Sequence, residues 1–352
     1  MKETILLKVD PVEPDLSKIH RAANLIKSGG LVAFPTETVY GLGADALNAN
    51  AVVALFEAKK RPMDNPPIVH IGDLKDVNKL AAFVPSQIED LMEEFWPGPL
   101  TLVFKRSDLV PAVTVAGLET IAVRMPKHEV ALSLIRESGC PISAPSANLS
   151  GKLSPTTADH VLDDLNGRID AILDGGPTQI GVESTVLDVT VDPPTVLRPG
   201  GTSVEALKKS LGRVRLHAHV EAEKEHESGT ARSPGMKHKH YAPRAKLVLV
   251  EGPLSAVVEK VNELAGTYKA EGSRVGVLAT DETASKYEVA TVLSMGSRFN
   301  LETIARNLFA SLRKFDSESI DVIIAESVPI DGLGLAVMNR LRKASGYNIV
   351  KM

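Results

Sequence analysis

Short apolar runs alternate with helix-period segments along most of this chain. In the first pair, apolar residues recur at helical spacing over residues 15–28, Gly29-Gly30 end that segment, and an apolar run at 31–34 follows at once. Strands and helices that alternate in this way predict a mixed α/β fold, because each strand needs a helix to cover its apolar face. Further strands are predicted at residues 68–71, 100–104, 120–123, 142–144 and 171–173.

A hairpin and a capped helix follow these strands. Apolar runs at residues 184–189 and 195–197 flank Asp192-Pro193-Pro194, a sequence that favours a turn and therefore a hairpin. Thr202 and Glu205 have the spacing of a capping box, which predicts a helix that is capped by Thr202 and ends near Leu211.

The composition changes after residue 216. Residues 217–240 are rich in Glu, Lys, Ser and Gly and contain few apolar side chains, so this segment cannot bury enough surface to fold alone. We therefore predict a first domain at residues 1–212, a linker at 213–244 and a smaller α/β domain with parallel strands at 245–352. The second domain has predicted strands at residues 246–250, 275–278 and 321–325 and predicted helices at 254–264, 301–312 and 335–343.

The bulk properties exclude several classes of protein. The 352 residues are 43% hydrophobic and 24% charged, which is typical of globular proteins rather than disordered or fibrous ones. A formal net charge of -4 gives no reason to expect a surface dedicated to nucleic acid. Cys140 is the single cysteine, the first apolar run is too short for a signal peptide, and no run reaches the roughly 20 apolar residues of a membrane span. We expect a cytoplasmic protein with no membrane partner.

Two cations stand where a helix must end. Lys59 and Arg61 follow an apolar helical segment, and Pro62 prevents that helix from continuing. The pattern predicts that both cations lie on a turn and are free to point at a ligand. Ser146 and Asn148 follow a predicted strand and precede a new helix, which is the usual place for ligand groups in open α/β sheets. Together these residues favour an anionic ligand, and a nucleotide in particular.

Two arginines also end predicted strands. Arg124 and Arg198 each precede a proline turn, where an arginine is either solvated or aimed into a ligand crevice to bind carboxylate or phosphate in a bidentate manner. Both interpretations are equally compatible with the spacing. The hydroxyls of Ser184-Thr185, after Glu183, are as compatible with strand formation as with ligand binding.

Several motifs point weakly to other chemistries. Residues 41–46 have the glycine spacing of a dinucleotide fingerprint, but they do not follow a strand directly, so a glycine-built substrate loop is favoured over an NAD site. No G-x-S-x-G elbow or P-loop occurs. Ser146 has no neighbouring base, which favours ligand contact over covalent catalysis. His238 and His240, next to Tyr241, lack the further ligands of a metal site, and a solvated basic segment is favoured there.

Six motifs occur in a fixed order: FPTETVYGL at 34–42, KKRP at 59–62, WPGPLT at 96–101, VRMP at 123–126, APSAN at 144–148 and ST at 184–185. Together they resemble the threonylcarbamoyl-AMP synthases, the YrdC-like family. The segment SPGMKHKHYAP at residues 233–243 and the domain after it resemble the long, two-domain form of that enzyme. The resemblance implies a twisted, partly parallel sheet around a concave cavity, followed by a Rossmann-like α/β domain.

The resemblance also implies a reaction. A nucleotidyltransferase of this family makes L-threonylcarbamoyl-adenylate from L-threonine, bicarbonate and ATP and releases pyrophosphate. A downstream tRNA threonylcarbamoyl transferase then uses the product to form N6-threonylcarbamoyladenosine in tRNA. Mg²⁺ is expected to accompany the ATP phosphates, although no carboxylate cage for it is evident. Direct binding of tRNA or double-stranded RNA stays open.

The same resemblance assigns roles to residues of this chain. Lys59 and Arg61 are the expected catalytic residues, because they would hold the ATP phosphates, and Tyr241 would arrive from the linker as part of a lid. No residue is expected to bind a metal ion. The expected ATP-binding residues are Lys59, Arg61, Thr120, Ser146, Asn148, Ser154, Arg198 and Tyr241, with Ser146, Asn148 and Ser154 as hydrogen-bond donors. The expected threonine-binding residues are Thr36, His70, Arg124, Ser143, Ala144 and Ser184.

Two rival functions come from other classes. One is a module that binds RNA without catalysis, which the acidic balance of the chain disfavours. The other is carbamoyl transfer to a different acceptor, as in related hydrogenase-maturation proteins.

Overall fold

The computed structural model describes residues 3–221, 241–289 and 291–352. Within these ranges the chain forms an eleven-stranded sheet followed by a five-stranded sheet, with helices packed on both, so the predicted α/β class is confirmed. None of the helices in these ranges is both long enough and apolar enough to cross a bilayer.

The first sheet contains parallel and antiparallel neighbours, as the family resemblance implies. Its strands are β1 Ile5–Lys8, β2 Val32–Phe34, β3 Gly41–Asp45, β4 Val69–His70, β5 Leu100–Lys105, β6 Thr120–Arg124, β7 Ile142–Ser143, β8 Ala171–Asp174, β9 Thr185–Asp188, β10 Thr195–Arg198 and β11 Arg215–Leu216. Their order across the sheet is β1-β8-β2-β3-β7-β4-β6-β5-β9-β10-β11. Strands β9 and β10 form the predicted antiparallel hairpin.

Helices cover this sheet because their apolar stripes match the helical period. In α1 the residues Ile19, Ala22, Ala23 and Ile26 are at most 1% exposed, and the side chain of Asp15 caps the helix by accepting a hydrogen bond from Ser17 N. The helices are α1 Leu16–Lys27, α2 Ala49–Lys59, α3 Val77–Leu80, α4 Ser86–Phe95, α5 Glu129–Ser138, α6 Ala158–Leu165, α7 Val204–Leu211 and α8 Ala218–Glu221.

The second sheet is parallel throughout and has the order β14-β13-β15-β12-β16, so the prediction of parallel strands is confirmed. Its strands are β12 Lys246–Glu251, β13 Val275–Ala279, β14 Thr291–Ser294, β15 Val322–Glu326 and β16 Ile349–Lys351. Its helices are α9 Leu254–Ala270, α10 Leu301–Ser317 and α11 Gly334–Ala344.

Helices α10 and α11 lie between the two sheets. Their buried apolar residues share one core cluster with Val39, Leu153 and Val182 of the first part of the chain. Since this cluster borders the cavity described below, the second part of the chain forms a packed wall beside it.

Two local predictions are wrong. Residues 41–46 are neither a fingerprint nor a glycine loop, because Gly41–Asp45 is strand β3, and a Cβ added at Gly43 would lie 2.9 Å from side-chain atoms of Phe34 and Ile142. Helix α7 is capped by Ser203, whose side chain accepts from Ala206 N, and not by Thr202.

The predicted linker begins with regular structure. Residues Arg215–Leu216 add β11 in parallel to β10, and Val220 of α8 is buried. Residues 222–240, including His238, His240 and most of the SPGMKHKHYAP segment, lie outside the described residues.

Candidate active site

A cavity of about 700 Å³, including its opening to solvent, lies where the ends of several first-sheet strands converge. Twelve of the fourteen residues that the sequence predicts for ligand binding line it. They are Thr36, Lys59, Arg61, His70, Arg124, Ala144, Ser146, Asn148, Ser154, Ser184, Arg198 and Tyr241.

Thr120 and Ser143 are the two exceptions. Thr120 begins β6 and Arg124 ends it, so about 13 Å of extended strand separates Thr120 from the cavity. Ser143 is buried in β7, opposite Ala44 and Val69, and its Oγ has no hydrogen-bond partner among the described residues. The predicted contacts of Thr120 with ATP and of Ser143 with threonine are therefore not supported by their positions.

Lys59 is the last residue of α2, which ends where Lys60 adopts a left-handed conformation with φ 51°. The Lys59 side chain is 1% exposed, and its Nζ donates to the carbonyl oxygens of Ser146 and Asn148, with 2.5 Å to the latter. Burial, and then the neighbouring Arg61, hold the pKa of Lys59 well below its usual range. The prediction of a free cation on a turn is wrong, because Lys59 fixes the 146–148 backbone.

Arg61 is likewise engaged with backbone rather than free. Its Nε donates to Asn65 O at 2.8 Å and its Nη2 to Pro66 O at 3.2 Å. Burial and then Arg198 lower its pKa to about 10. Both predicted phosphate-binding cations thus line the cavity, but their side chains also hold its loops in place.

The polar groups of the 146–152 loop bond mainly to one another. Ser146 Oγ donates to Asn148 Oδ1 at 2.6 Å, and Asn148 Nδ2 donates to the carbonyl oxygens of Leu149 and Lys152 at 2.9 and 3.0 Å. The hydroxyl proton of Ser146 and both amide protons of Asn148 are therefore already used. The expectation that these two side chains are free donors to a ligand is not met. Ser146 Oγ bonds an amide rather than a base, so no described residue activates it as a nucleophile.

Arg124 is buried at the end of β6 and is held on three sides. Its Nη2 donates to Glu37 Oε2 at 2.5 Å, its Nη1 to Thr38 Oγ1 at 3.0 Å and its Nε to Gly98 O at 3.1 Å. Three of the five guanidinium N–H groups are used, and two are left for a ligand carboxylate. Arg124 therefore points into the cavity, as one of its two interpretations predicts, and is not a solvated residue at the end of a strand.

His70 lies beside Arg124 in a neutral state. Burial, and then the Arg124 charge, lower its pKa to about 3. Its Nδ1 has no hydrogen-bond partner among the described residues, and its ring meets Phe34 edge-on at 6.4 Å between centroids. The imidazole can therefore offer a neutral hydrogen-bonding group to a ligand.

Arg198 and Ser184 brace the hairpin at the opposite wall. Arg198 Nη2 and Nε donate to Ser184 O at 2.9 and 3.2 Å, and Ser184 Oγ shares a 2.8 Å hydrogen bond with Thr101 Oγ1. Thr36 Oγ1 donates to Val39 O at 2.7 Å, which shapes the turn after β2. Arg198, like Arg124, is therefore buried at the cavity and is not a solvated residue at the end of a strand.

Residues that received no role from the sequence complete the cavity. Glu183 and Ser150 line it, and Ser150 Oγ is buried without a hydrogen-bond partner among the described residues. Glu183 accepts a hydrogen bond from Ser154 Oγ at 2.5 Å and pairs with Arg340 Nε at 2.8 Å. Ser150 could have been found from its position two residues after Asn148. Arg340 could not, because 157 residues separate it from Glu183.

The arrangement suits group transfer between two bound reactants. Neighbouring positive charges help to lower the pKa of Lys59, Arg61 and Arg198, so an anionic ligand would relieve the repulsion around these three side chains. Within the described ranges no three His, Cys, Asp or Glu side chains are grouped as a metal site. Positioning and charge stabilisation are contributions that the buried cations can make.

Comparison with known proteins gives concordant results. A family model described as Telomere recombination (Sua5, YciO, YrdC) matches residues 24–200, and one described as Threonylcarbamoyl-AMP synthase, C-terminal domain, matches residues 202–346. The threonylcarbamoyl-AMP synthase of Pyrococcus abyssi is 53% identical over 95% of this chain and 96% of its own length. That of Bacillus subtilis is 50% identical over 97% of both chains.

Solved structures extend this similarity to the fold. The crystal structure of P. abyssi Sua5 complexed with L-threonine covers 99% of this chain and 100% of its own, with 52% identity and a TM-score of 0.94. The crystal structure of E. coli YciO covers 56% of this chain and 96% of its own, with 26% identity and a TM-score of 0.52.

Proposed function

This chain belongs to the threonylcarbamoyl-AMP synthase family, and we propose that it uses ATP to convert L-threonine and bicarbonate into L-threonylcarbamoyl-adenylate and pyrophosphate. The observation that carries the proposal is the wall of four buried cations around a cavity that contains no activated nucleophile among its described residues. A polyanion such as ATP fits that wall, and the chemistry below needs no covalent intermediate.

The reaction can proceed between the substrates themselves. The threonine amine adds to bicarbonate with loss of water and gives a carbamate. A carbamate oxygen then attacks the α-phosphorus of ATP, the bond to the bridging oxygen breaks, and pyrophosphate leaves with its electron pair. The protein has to hold the two reactants in line and offset the phosphate charge. Mg²⁺ would enter as part of the nucleotide substrate.

Two groups of residues divide the cavity between the substrates in this proposal. The two unused N–H groups of Arg124 would bind the threonine carboxylate, beside the neutral His70. Thr36, Ala144 and Ser184 would complete the amino-acid pocket. On the nucleotide side, Lys59, Arg61 and Arg198 would face the phosphates, while Ser146, Asn148 and Ser154 shape the wall.

Tyr241 would close the nucleotide side as part of a lid. It is the first described residue after position 240, it is 4% exposed, and its ring stacks on Phe309 at 5.4 Å between centroids. Its neighbour Ala242 donates its backbone N–H to Gly151 O at 3.0 Å, which attaches the segment around Tyr241 to the loop that precedes Ser154. We assign residues 1–212 to catalysis and treat residues 213–244 as the segment that carries Tyr241 to the cavity.

The product implies a partner. Threonylcarbamoyl-adenylate is a mixed anhydride that water would consume, so a tRNA threonylcarbamoyl transferase should accept it for the modification of tRNA. We place both steps in the cytoplasm, where ATP and tRNA meet.

Pyrophosphate release tests the proposed activity. The purified chain is incubated with MgATP and bicarbonate and with each of the twenty amino acids in turn, and the product is identified by mass spectrometry. Release that depends on both L-threonine and bicarbonate is the expected result. Turnover with carbamoyl phosphate in place of threonine and bicarbonate would point instead to carbamoyl transfer, and salt-dependent RNA binding without ATP consumption would point to a binding module.

A further inference from the structure

An arginine from the second sheet's helices reaches the wall of the cavity. Arg340 lies on α11 and is 1% exposed. Its Nε donates to Glu183 Oε2 at 2.8 Å and its Nη1 to Pro199 O at 2.9 Å, both in the first part of the chain. Its guanidinium carbon also lies 5.3 Å from the centroid of the Tyr241 ring. Arg340 thus contacts three segments that surround the nucleotide side, although it does not itself line the cavity.

Glu183 connects Arg340 to the surface of the cavity. Its other oxygen, Oε1, accepts the hydroxyl proton of Ser154 at 2.5 Å, and both Glu183 and Ser154 line the cavity. Hydrogen bonds therefore run without interruption from α11 through the Glu183 carboxylate to the Ser154 hydroxyl.

The charge of Glu183 sets the direction of these hydrogen bonds. Burial alone would raise the pKa of this carboxyl, but Arg340 first, and then Arg198 and the Ser154 hydrogen bond, lower it to about 2. An ionised carboxylate only accepts hydrogen bonds, so the single proton of Ser154 is fixed on Glu183. Ser154 Oγ then presents only lone pairs to the cavity. It can accept from a ligand but cannot donate, which reverses the role expected for it from the sequence.

We propose that Arg340 is a positioning residue of the active site: it fixes Glu183 so that Ser154 accepts a hydrogen bond from the nucleoside part of ATP. A ribose hydroxyl and the adenine amino group are the donors that a nucleoside offers. The inference rests on the proposed function and names what the second part of the chain contributes to that same site. The helix that supplies Arg340 therefore belongs to the catalytic machinery, although its residues lie more than 130 positions after the hairpin that they hold.

Four variants separate positioning from general stability. Arg340→Met keeps the volume of the stem but leaves Glu183 without its main partner, and Arg340→Lys keeps the charge with a single donor. Glu183→Gln retains an oxygen that can accept from Ser154, and Arg340→Met combined with Glu183→Gln removes both buried charges. Arg306→Gln is the matched control, because Arg306 donates to Gln179 O at 2.8 Å across the same interface but lies at the exposed side of α10.

The Michaelis constants for ATP and for threonine are measured for each variant, together with the melting temperature. Arg340→Met should raise KM for ATP about tenfold or more, since a buried carboxylate loses its partner and Ser154 loses its fixed orientation. Its KM for threonine should stay within about twofold, and Arg340→Lys should fall between Arg340→Met and the parent protein. The double variant should bind ATP more tightly than Arg340→Met, because it leaves no buried carboxylate without its arginine partner. Arg306→Gln should change neither KM by more than about twofold.

The proposal would be overturned if Arg340→Met changed both KM values equally or changed the melting temperature alone. It would also be overturned if the double variant bound ATP no more tightly than Arg340→Met. If Arg340→Met does not fold, the Arg340→Lys and double variants give the same comparison. Calorimetric binding of α,β-methylene-ATP repeats the comparison without turnover. If the parent protein binds this analogue but releases no pyrophosphate with threonine, the proposed function is refuted. The binding data for the variants would still decide the role of Arg340.

Discussion

Replacement of Lys59 by methionine should both destabilise the fold and disable the site. The lysine Nζ is buried and donates to the carbonyl oxygens of Ser146 and Asn148, while Asn148 Nδ2 in turn bonds Lys152 O. Lys59→Met keeps the length of the apolar stem but leaves both carbonyl groups without this donor. The loop that carries Ser146 and Asn148 would then lose its attachment to α2.

The size of the effect follows from two opposing contributions. The Asn148 carbonyl left unsatisfied costs roughly 1–3 kcal/mol, whereas Ser146 O still accepts a hydrogen bond from Asn148 N at 3.0 Å. The ammonium group has a strongly lowered pKa, so its burial costs free energy that the substitution returns. We therefore expect the free energy of unfolding to fall by about 1–2 kcal/mol, the lower half of that range. Turnover should fall by roughly 100-fold or more, because a preorganised charge contact is also lost.

The contribution of Lys59 to the free energy of unfolding depends on pH with a definite sign. The pKa of Lys59 is lower in the folded state than in the unfolded state, where it is about 10.4. Between these two values the unfolded chain binds more protons, so the parent protein gains stability as the pH rises through that window. Lys59→Met lacks this contribution. The stability difference between the parent and the variant should therefore widen as the pH rises from the lowered folded-state pKa of Lys59 toward about 10.

Urea unfolding at several pH values and threonine-dependent pyrophosphate release measure the two effects. Lys60→Met is the matched control, because Lys60 is the exposed neighbour in the same turn. A Lys59→Met protein with the unfolding midpoint and turnover of the control would refute the reasoning, and so would a stability difference that narrows with pH.

Three further predictions concern the proposed threonine pocket and the proposed lid residue Tyr241. Arg124→Ala should weaken L-threonine binding roughly 10- to 100-fold by titration calorimetry, because a bidentate contact with the carboxylate is lost, and unchanged affinity would remove Arg124 from that role. Because the folded-state pKa of His70 is about 3, the parent protein should lose stability as the pH falls from 6.5 toward 3. In urea unfolding, His70→Asn should make this loss of stability with falling pH smaller. If stability depends on pH equally steeply in the variant, His70 is not the neutral buried group that we describe. Tyr241→Ala should raise KM for ATP and Tyr241→Phe should retain the stacking on Phe309 and most of the activity; equal losses in both variants would assign the effect to the hydroxyl instead.

The fold was predictable to the extent that its signals are local. Helix α1 could be placed to within one or two residues, because its apolar spacing, its aspartate cap and its terminal glycines lie within 16 positions of one another. The two-residue strand β11 and the edge strands β14 and β16 were missed, since so few residues show no periodicity and the pairing partner decides their structure. Strand β3 was mistaken for a loop because its glycines resemble turn formers, while tertiary packing against Phe34 is what requires them.

The members of the site were predictable, but their hydrogen-bond partners were not. Lys59 and Ser146 lie 87 positions apart, and Glu183 and Arg340 lie 157 apart, so no spacing rule connects them. A motif indicates that a polar residue is needed at a position. Whether that residue faces the ligand or holds another residue depends on three-dimensional contacts that a single sequence does not contain.

These contacts explain how the site can keep so many cations together before a substrate arrives. Carbonyl oxygens hold Lys59 and Arg61, and the carboxylates of Glu37 and Glu183 offset Arg124 and Arg340. Each cation is thereby stabilised by the protein, yet Lys59, Arg61 and Arg198 all keep lowered pKa values, so the repulsion and burial are only partly offset. A bound triphosphate would supply the missing negative charge without requiring these side chains to reorganise. The residues that first look like free ligand donors therefore serve the reaction best by being fixed in advance, since charge stabilisation is strongest where the dipoles and charges are already in place.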